Sequence, residues 1–107
     1  MYFAMNRFKV KKGSEEAFEK VWRERDSSLA EMRGFRTFHL LRGPENEEEG
    51  CTLFVSHTEW ENRDDFVAWT KSENFRAAHS NAGGNRPLYS GHPQFEGFEV
   101  VEGASRT

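Results

Sequence analysis

Residues 2–10 alternate strictly, and this limits the chain to folds that open with a strand apolar on both sides. Tyr2, Ala4, Asn6, Phe8 and Val10 fall on one face of that strand. Phe3, Met5, Arg7 and Lys9 fall on the other. Asn6 is the exception among its neighbours. An amide buried there is costly unless it is hydrogen-bonded, so nearby backbone or a strand end is its simplest partner.

A helix follows. Gly13-Ser14 opens it, with Ser14 as the expected N-cap and Glu15 and Glu16 at the positive end of the dipole. Phe18, Val21, Trp22, Arg25, Leu29 and Met32 keep the spacing of one helical face. That stripe reads as core, with Trp22 as packing, and Gly34 is the expected stop. Residues 35–42 read as the second strand, with Phe38 and Leu40 opposite Thr37, His39 and Leu41. Gly43-Pro44 is expected to break it, and Glu45 to Glu49 to form a solvated hairpin loop. Residues 52–60 form the third strand, with Leu53, Val55 and His57 against Phe54, Ser56, Thr58 and Trp60.

Asn62 is placed to cap a second helix, with Asp65 three residues on in a capping-box-like position. That helix carries Phe66 and Trp69, and Ser72 offers a second cap site. Phe75, Ala78 and His79 fall on the turns beyond it. A loop over about 80–91 holds three glycines and Pro87 and is too long for a plain connector. Residues 92–101 read as the last strand, with Phe95 and Phe98 as apolar anchors, and 102–107 as a polar, frayed tail.

The order strand, helix, strand, strand, helix, strand predicts an α+β chain with the ferredoxin-like βαββαβ arrangement. An antiparallel sheet would carry both helices on one face. At 107 residues this is expected to be a single domain spanning 1–107. The other face of the sheet, with Phe3 and Met5, would stay uncovered. Each large apolar side chain left in water forgoes about 1.5–3 kcal/mol. Packing two such faces together as a homodimer is the simplest remedy, so a dimeric α+β barrel is expected.

Ten Phe, three Trp and two Tyr can fill a core and still line a pocket. A net charge of −3 gives no footprint for nucleic acid, and no basic run or long apolar stretch suggests a membrane. Cys51 is the only cysteine, so no internal disulfide forms; it reads as a small hydrophobe at a strand start. A cytoplasmic protein is expected. No histidine and carboxylate spacing marks a zinc or facial-triad site, and no glycine-rich phosphate loop or nucleophile elbow is present.

Ten residues separate Trp69 from His79, which on an unbroken helix would set them about 80° apart. A break over residues 72–74 would bring both onto one cavity, with Asn6 projecting toward the same helix. By spacing alone His79 reads more readily as a surface or C-cap residue, favoured there by the helix dipole, than as a ligand. His39 and His57 read as core or barrel residues, and His92, before Pro93, as a residue where the loop meets the last strand.

Met5-Asn6-Arg7-Phe8 and the segment Trp69 to His79, with its Trp, Ser72, Phe75 and Ala78-His79 in register, resemble the IsdG-type haem-degrading monooxygenases. These belong to the antibiotic biosynthesis monooxygenase superfamily of dimeric α+β barrels. The resemblance extends over nearly the whole chain in element order. It implies that haem is both substrate and cofactor, and that His79 is the axial ligand to its iron. By the same likeness Asn6 is the amide that hydrogen-bonds toward an iron-bound ligand, and Trp69 the bulk that pushes the porphyrin out of plane. Phe75 would line the pocket and Arg86, the only cation of the loop, could meet a propionate or stay solvated. The implied reaction opens the porphyrin with O2 and electrons from an external reductase, because the chain has no flavin or nicotinamide site. It would release iron and a biliverdin-like open tetrapyrrole, a role in iron acquisition. The glycines of the loop depart from the family pattern, and they leave its lid contacts open. A haem carrier or buffer, and a metal-free oxygenase of quinone-like aromatics, are the other functions this scaffold admits.

Overall fold

A computed structural model describes residues 1–25, 29–72 and 88–106. Its elements are β1 (Tyr2–Lys11), α1 (Glu15–Glu24), a 3-10 turn (Leu29–Glu31), β2 (Phe35–Asn46), β3 (Cys51–Trp60), α2 (Arg63–Thr70) and β4 (Tyr89–Glu99). The strands form one antiparallel sheet in the order β2-β3-β1-β4. This is the expected ferredoxin-like α+β arrangement. Pairing of Tyr2 with Trp60, Ala4 with Thr58, Phe8 with Phe54 and Val10 with Thr52 puts one apolar row of β1 on the face that both helices cover.

α1 departs from its predicted length. The apolar stripe from Phe18 to Met32 does not lie on one helix: α1 ends at Glu24, and Arg25 is extended (φ −75°, ψ 124°). Asp26, Ser27 and Ser28 follow in sequence, residue types that compete with the helix for backbone hydrogen bonds. Leu29 and Met32 reach the core from the 3-10 turn instead. The cap also differs. Ser14 makes no side-chain cap. Glu15 does the work, accepting from the Gly13 N–H and from the Thr52 hydroxyl, both at 2.8 Å. The Thr52 hydroxyl is the main reason the Glu15 carboxyl sits below the usual carboxylate range.

β2 runs through Gly43 and Pro44 rather than stopping there, with a register shift between Arg42 and Glu45. β2 is an edge strand, where a proline without an N–H removes no ladder bond that the sheet needs. β4 begins at Tyr89, earlier than expected, and absorbs its own irregularity opposite Arg7 and Lys9. His92 therefore lies in a strand, not in a loop. The cap of α2 is as predicted: the Asp65 N–H donates to Asn62 Oδ1 at 2.8 Å. Gly34 has φ +81°, and a Cβ there would run into the Asp65 carboxylate. Its carbonyl accepts from the Glu61 N–H at 2.8 Å, which ties the entry of β2 to the start of α2.

Two apolar clusters fill the space between sheet and helices. One joins Tyr2, Ala4, Leu29, Trp60 and Trp69 under α2. The other joins Phe8, Val10, Phe18 and Phe54 under α1. Inside the first, Trp60 Nε1 donates to Thr58 Oγ1 at 2.9 Å, and that hydroxyl donates to the Ala4 carbonyl at 3.4 Å. Cys51 is buried at the start of β3, as expected.

The opposite face carries Phe3, Met5, Leu53, Val55 and His57, with Leu41 and Phe98 46% and 47% exposed. No element among the described residues covers it. No helix among the described residues is long and apolar enough to cross a membrane.

Candidate active site

Between the two clusters the helix-facing side of the sheet is crossed by one row, Leu40, Ser56, Asn6 and Phe95, paired in register over all four strands. Asn6 belongs to neither cluster. It is half-buried at the centre of the sheet, with Ser56 on one side and Phe95 on the other. The strand alternation that makes Phe8 and Ala4 core residues thus presents a carboxamide on a floor whose flanks are aromatic.

Those flanks are well defined. Under α2, Phe66 stacks on Phe95 with ring centroids 5.6 Å apart and planes within 9°. Tyr2 lies against Phe66 at 5.6 Å. Gly97 makes room for it, since a Cβ there would collide with the Tyr2 hydroxyl. Phe95 remains 51% exposed, so half of a large apolar ring faces open space beside Asn6. Under α1, Phe8 meets Trp22 and Tyr89 edge-on at 5.8 and 5.3 Å. Arg25 lies 4.0 Å over the Trp22 ring. Partial burial pulls its guanidinium below the ordinary arginine value, with the charge of Tyr89 opposing that shift. A further groove of about 430 Å³ opens between α1 and β2 over Trp22, Phe38, Leu40 and Phe54. Glu19 neutralises its cations, holding Arg42 at 2.9 Å and Arg23 at 3.0 Å.

Of the residues predicted for the site, Asn6 and Trp69 are described and stand on the same side of the sheet. Trp69 is 8% exposed and packs on Trp60 at 5.9 Å and Phe66 at 6.5 Å, within the apolar cluster under α2. α2 ends at Thr70, just after it. The Ser72 hydroxyl donates to the Trp69 carbonyl at 2.6 Å, so it closes this helix. His79, Phe75 and Arg86, and residues 80–87 of the glycine-rich loop, lie outside the described residues, whereas Gly91, read as part of that loop, lies in β4. Sequence reasoning missed Phe95 and Ser56 as neighbours of Asn6, and Phe66 as the ring stacked on Phe95. The pairing register of β4 would have revealed Phe95; alternation alone made it only an anchor. Arg25 was read as one more member of a helical stripe. No cluster of three or more His, Cys, Asp or Glu able to hold a metal ion occurs among the described residues.

The candidate site is a half-buried amide at the centre of the sheet, between two aromatic clusters. The chain belongs to the antibiotic biosynthesis monooxygenase family, whose model matches residues 1–81. It is 34% identical to a heme oxygenase (staphylobilin-producing) of Staphylococcus haemolyticus over 76% of this chain and 75% of that one. It is 32% identical to a heme-degrading monooxygenase of Shouchella clausii over 94% of this chain and 90% of the relative. Among solved structures it resembles the heme-degrader MhuD of Mycobacterium tuberculosis with two hemes bound in its active site. There the TM-score is 0.73 at 28% identity, over 98% of this chain and 100% of that one.

Proposed function

We propose that this protein is a haem-degrading monooxygenase that takes haem into the cleft above Asn6. The observation that carries the reading is the half-buried carboxamide on a floor between aromatic flanks, one of which is already a stacked Phe66–Phe95 pair. The residues fit a flat, largely apolar macrocycle with one polar centre. The names of the relatives support the same substrate.

Bound haem would supply both the iron that takes O2 and external electrons and the ring that is opened. The chain would do the rest. His79 offers a neutral imidazole nitrogen to the iron. Asn6 would offer its amide N–H to charge that develops in a site that excludes water. Trp69, braced by Trp60 and Phe66, is a rigid wall able to bend a macrocycle pressed on it. Phe75 would line the pocket. Arg86 and the partly buried Arg25 would be the cations to meet haem carboxylates. The products would be iron and an open-chain tetrapyrrole. Electrons come from a separate reductase, in keeping with a cytoplasmic enzyme of iron acquisition.

Adding haemin should give a Soret band, and ascorbate in air should bleach it with release of iron. His79→Ala should abolish that bleaching. A Soret band that survives hours of aerobic reduction in the wild-type protein would instead mean a carrier, which binds haem and passes it on intact.

The uncovered sheet face supports a homodimer. Phe3, Met5, Val55, Leu41 and Phe98 form an apolar surface of the kind a second copy buries. Sedimentation at micromolar concentration should show a dimer; a monomer alone would reject this assembly.

A further inference from the structure

The helix-facing side of β3 carries three buried hydroxyls among the described residues, and they are not alike. Thr52 donates to Glu15 at 2.8 Å. Thr58 accepts from Trp60 at 2.9 Å and donates to the Ala4 carbonyl at 3.4 Å. Ser56, between them and 8% exposed, makes no side-chain hydrogen bond among the described residues. A hydroxyl taken out of water without a partner is costly, so its place calls for a reason. Ser56 stands directly opposite Asn6 in the ladder of β1 and β3. The Asn6 carboxamide is half-buried and also makes no hydrogen bond among the described residues. We propose that Ser56 is a positioning residue for Asn6: its hydroxyl donates to Asn6 Oδ1 and turns the amide N–H groups toward the bound ligand. The proposal deepens the haem reading and rests on it.

An asparagine side chain ends in a donor and an acceptor of similar shape, so a free carboxamide shows either end to a ligand. Only the N–H end stabilises developing negative charge. The oxygen must therefore be held back, and the neighbours of Asn6 on this face leave one group to hold it. Ala4, Phe8, Phe54, Phe95 and Gly97 bring no polar side-chain group, and the Thr58 hydroxyl is already engaged with the Ala4 carbonyl. Opposed residues of an antiparallel pair have Cβ atoms about 4.5–5.5 Å apart. Across that gap a hydroxyl reaches a carboxamide oxygen at about 2.7–2.8 Å by side-chain rotation alone. The ladder fixes both Cα positions, so the pair closes without moving the sheet. Serine also adds little bulk to a floor on which a flat ring must lie.

The test has two arms. The first uses the 15N-labelled protein before haemin is added. The side-chain NH2 pair of Asn6 is identified by its loss in Asn6→Ala. In the wild type it should be single and sharp. Ser56→Ala should double or broaden it, as the amide samples both orientations, and Ser56→Thr, which keeps the hydroxyl, should restore it. The second arm follows Soret decay with haemin and ascorbate in air. Ser56→Ala should slow ring opening about two- to tenfold, what one net hydrogen bond is worth, with haemin affinity unchanged. Ser56→Thr should recover the rate. On an Asn6→Ala background Ser56→Ala should cost nothing further, because the two residues act as one unit. Circular dichroism checks that each variant is folded. A single, sharp Asn6 pair in Ser56→Ala, or rate losses that multiply in the double variant, would overturn the proposal. Should haemin give no Soret band, the haem reading fails, while the first arm still decides what holds the amide.

Discussion

Asn6→Ala is expected to keep haem bound and to slow ring opening by about 10²-fold, the usual cost of losing one donor aimed at developing charge. The substitution removes the only amide of the cross-sheet row and leaves both apolar clusters intact. Folding should therefore survive, and the effect should appear in rate. Decay of the Soret band under ascorbate gives the rate, and haemin titration gives the affinity. An unchanged decay rate would remove Asn6 from the chemistry. A lost Soret band would make it a binding residue only.

Trp60→Ala should lower stability by about 3–5 kcal/mol, as large aromatic truncations in a core do. The side chain is 0% exposed. It touches Phe35 at 5.6 Å and both Phe66 and Trp69 at 5.9 Å, and its N–H satisfies Thr58. Against a total of about 5–15 kcal/mol this is a large fraction. The urea midpoint should fall by about 1 M or more. Because Trp60 braces the α2 side of the cleft, haem affinity should fall with it. A midpoint within error of wild type would mean that the cluster repacks around the gap.

Alternation made β1 and β3 legible almost to the residue, because period-two patterning is a property of each strand alone. The cap at Asn62 was legible for the same local reason. The end of α1 was not: the apolar spacing continues through Leu29 and Met32, while the backbone changes from helix to a 3-10 turn beneath it. Gly43-Pro44 misled because their usual meaning assumes a central strand, and β2 is an edge. At the site, Asn6 stood out as an amide in an apolar row, but its partners depend on register between strands far apart in sequence. Phe95 is 89 residues from Asn6 and adjacent to it in the sheet. Trp69 and the iron-binding role proposed for His79 came from likeness to a family, since one histidine ten residues after a tryptophan has no unique physical meaning.

The division of the core by the row through Ser56 and Asn6 separates durability from chemistry. Large aromatics on either side hold the scaffold up, whereas the centre is two small polar groups that neither cluster leans on. Such a floor can be rewritten by point changes without bringing the scaffold down, which makes this architecture a permissive starting material for new oxidations.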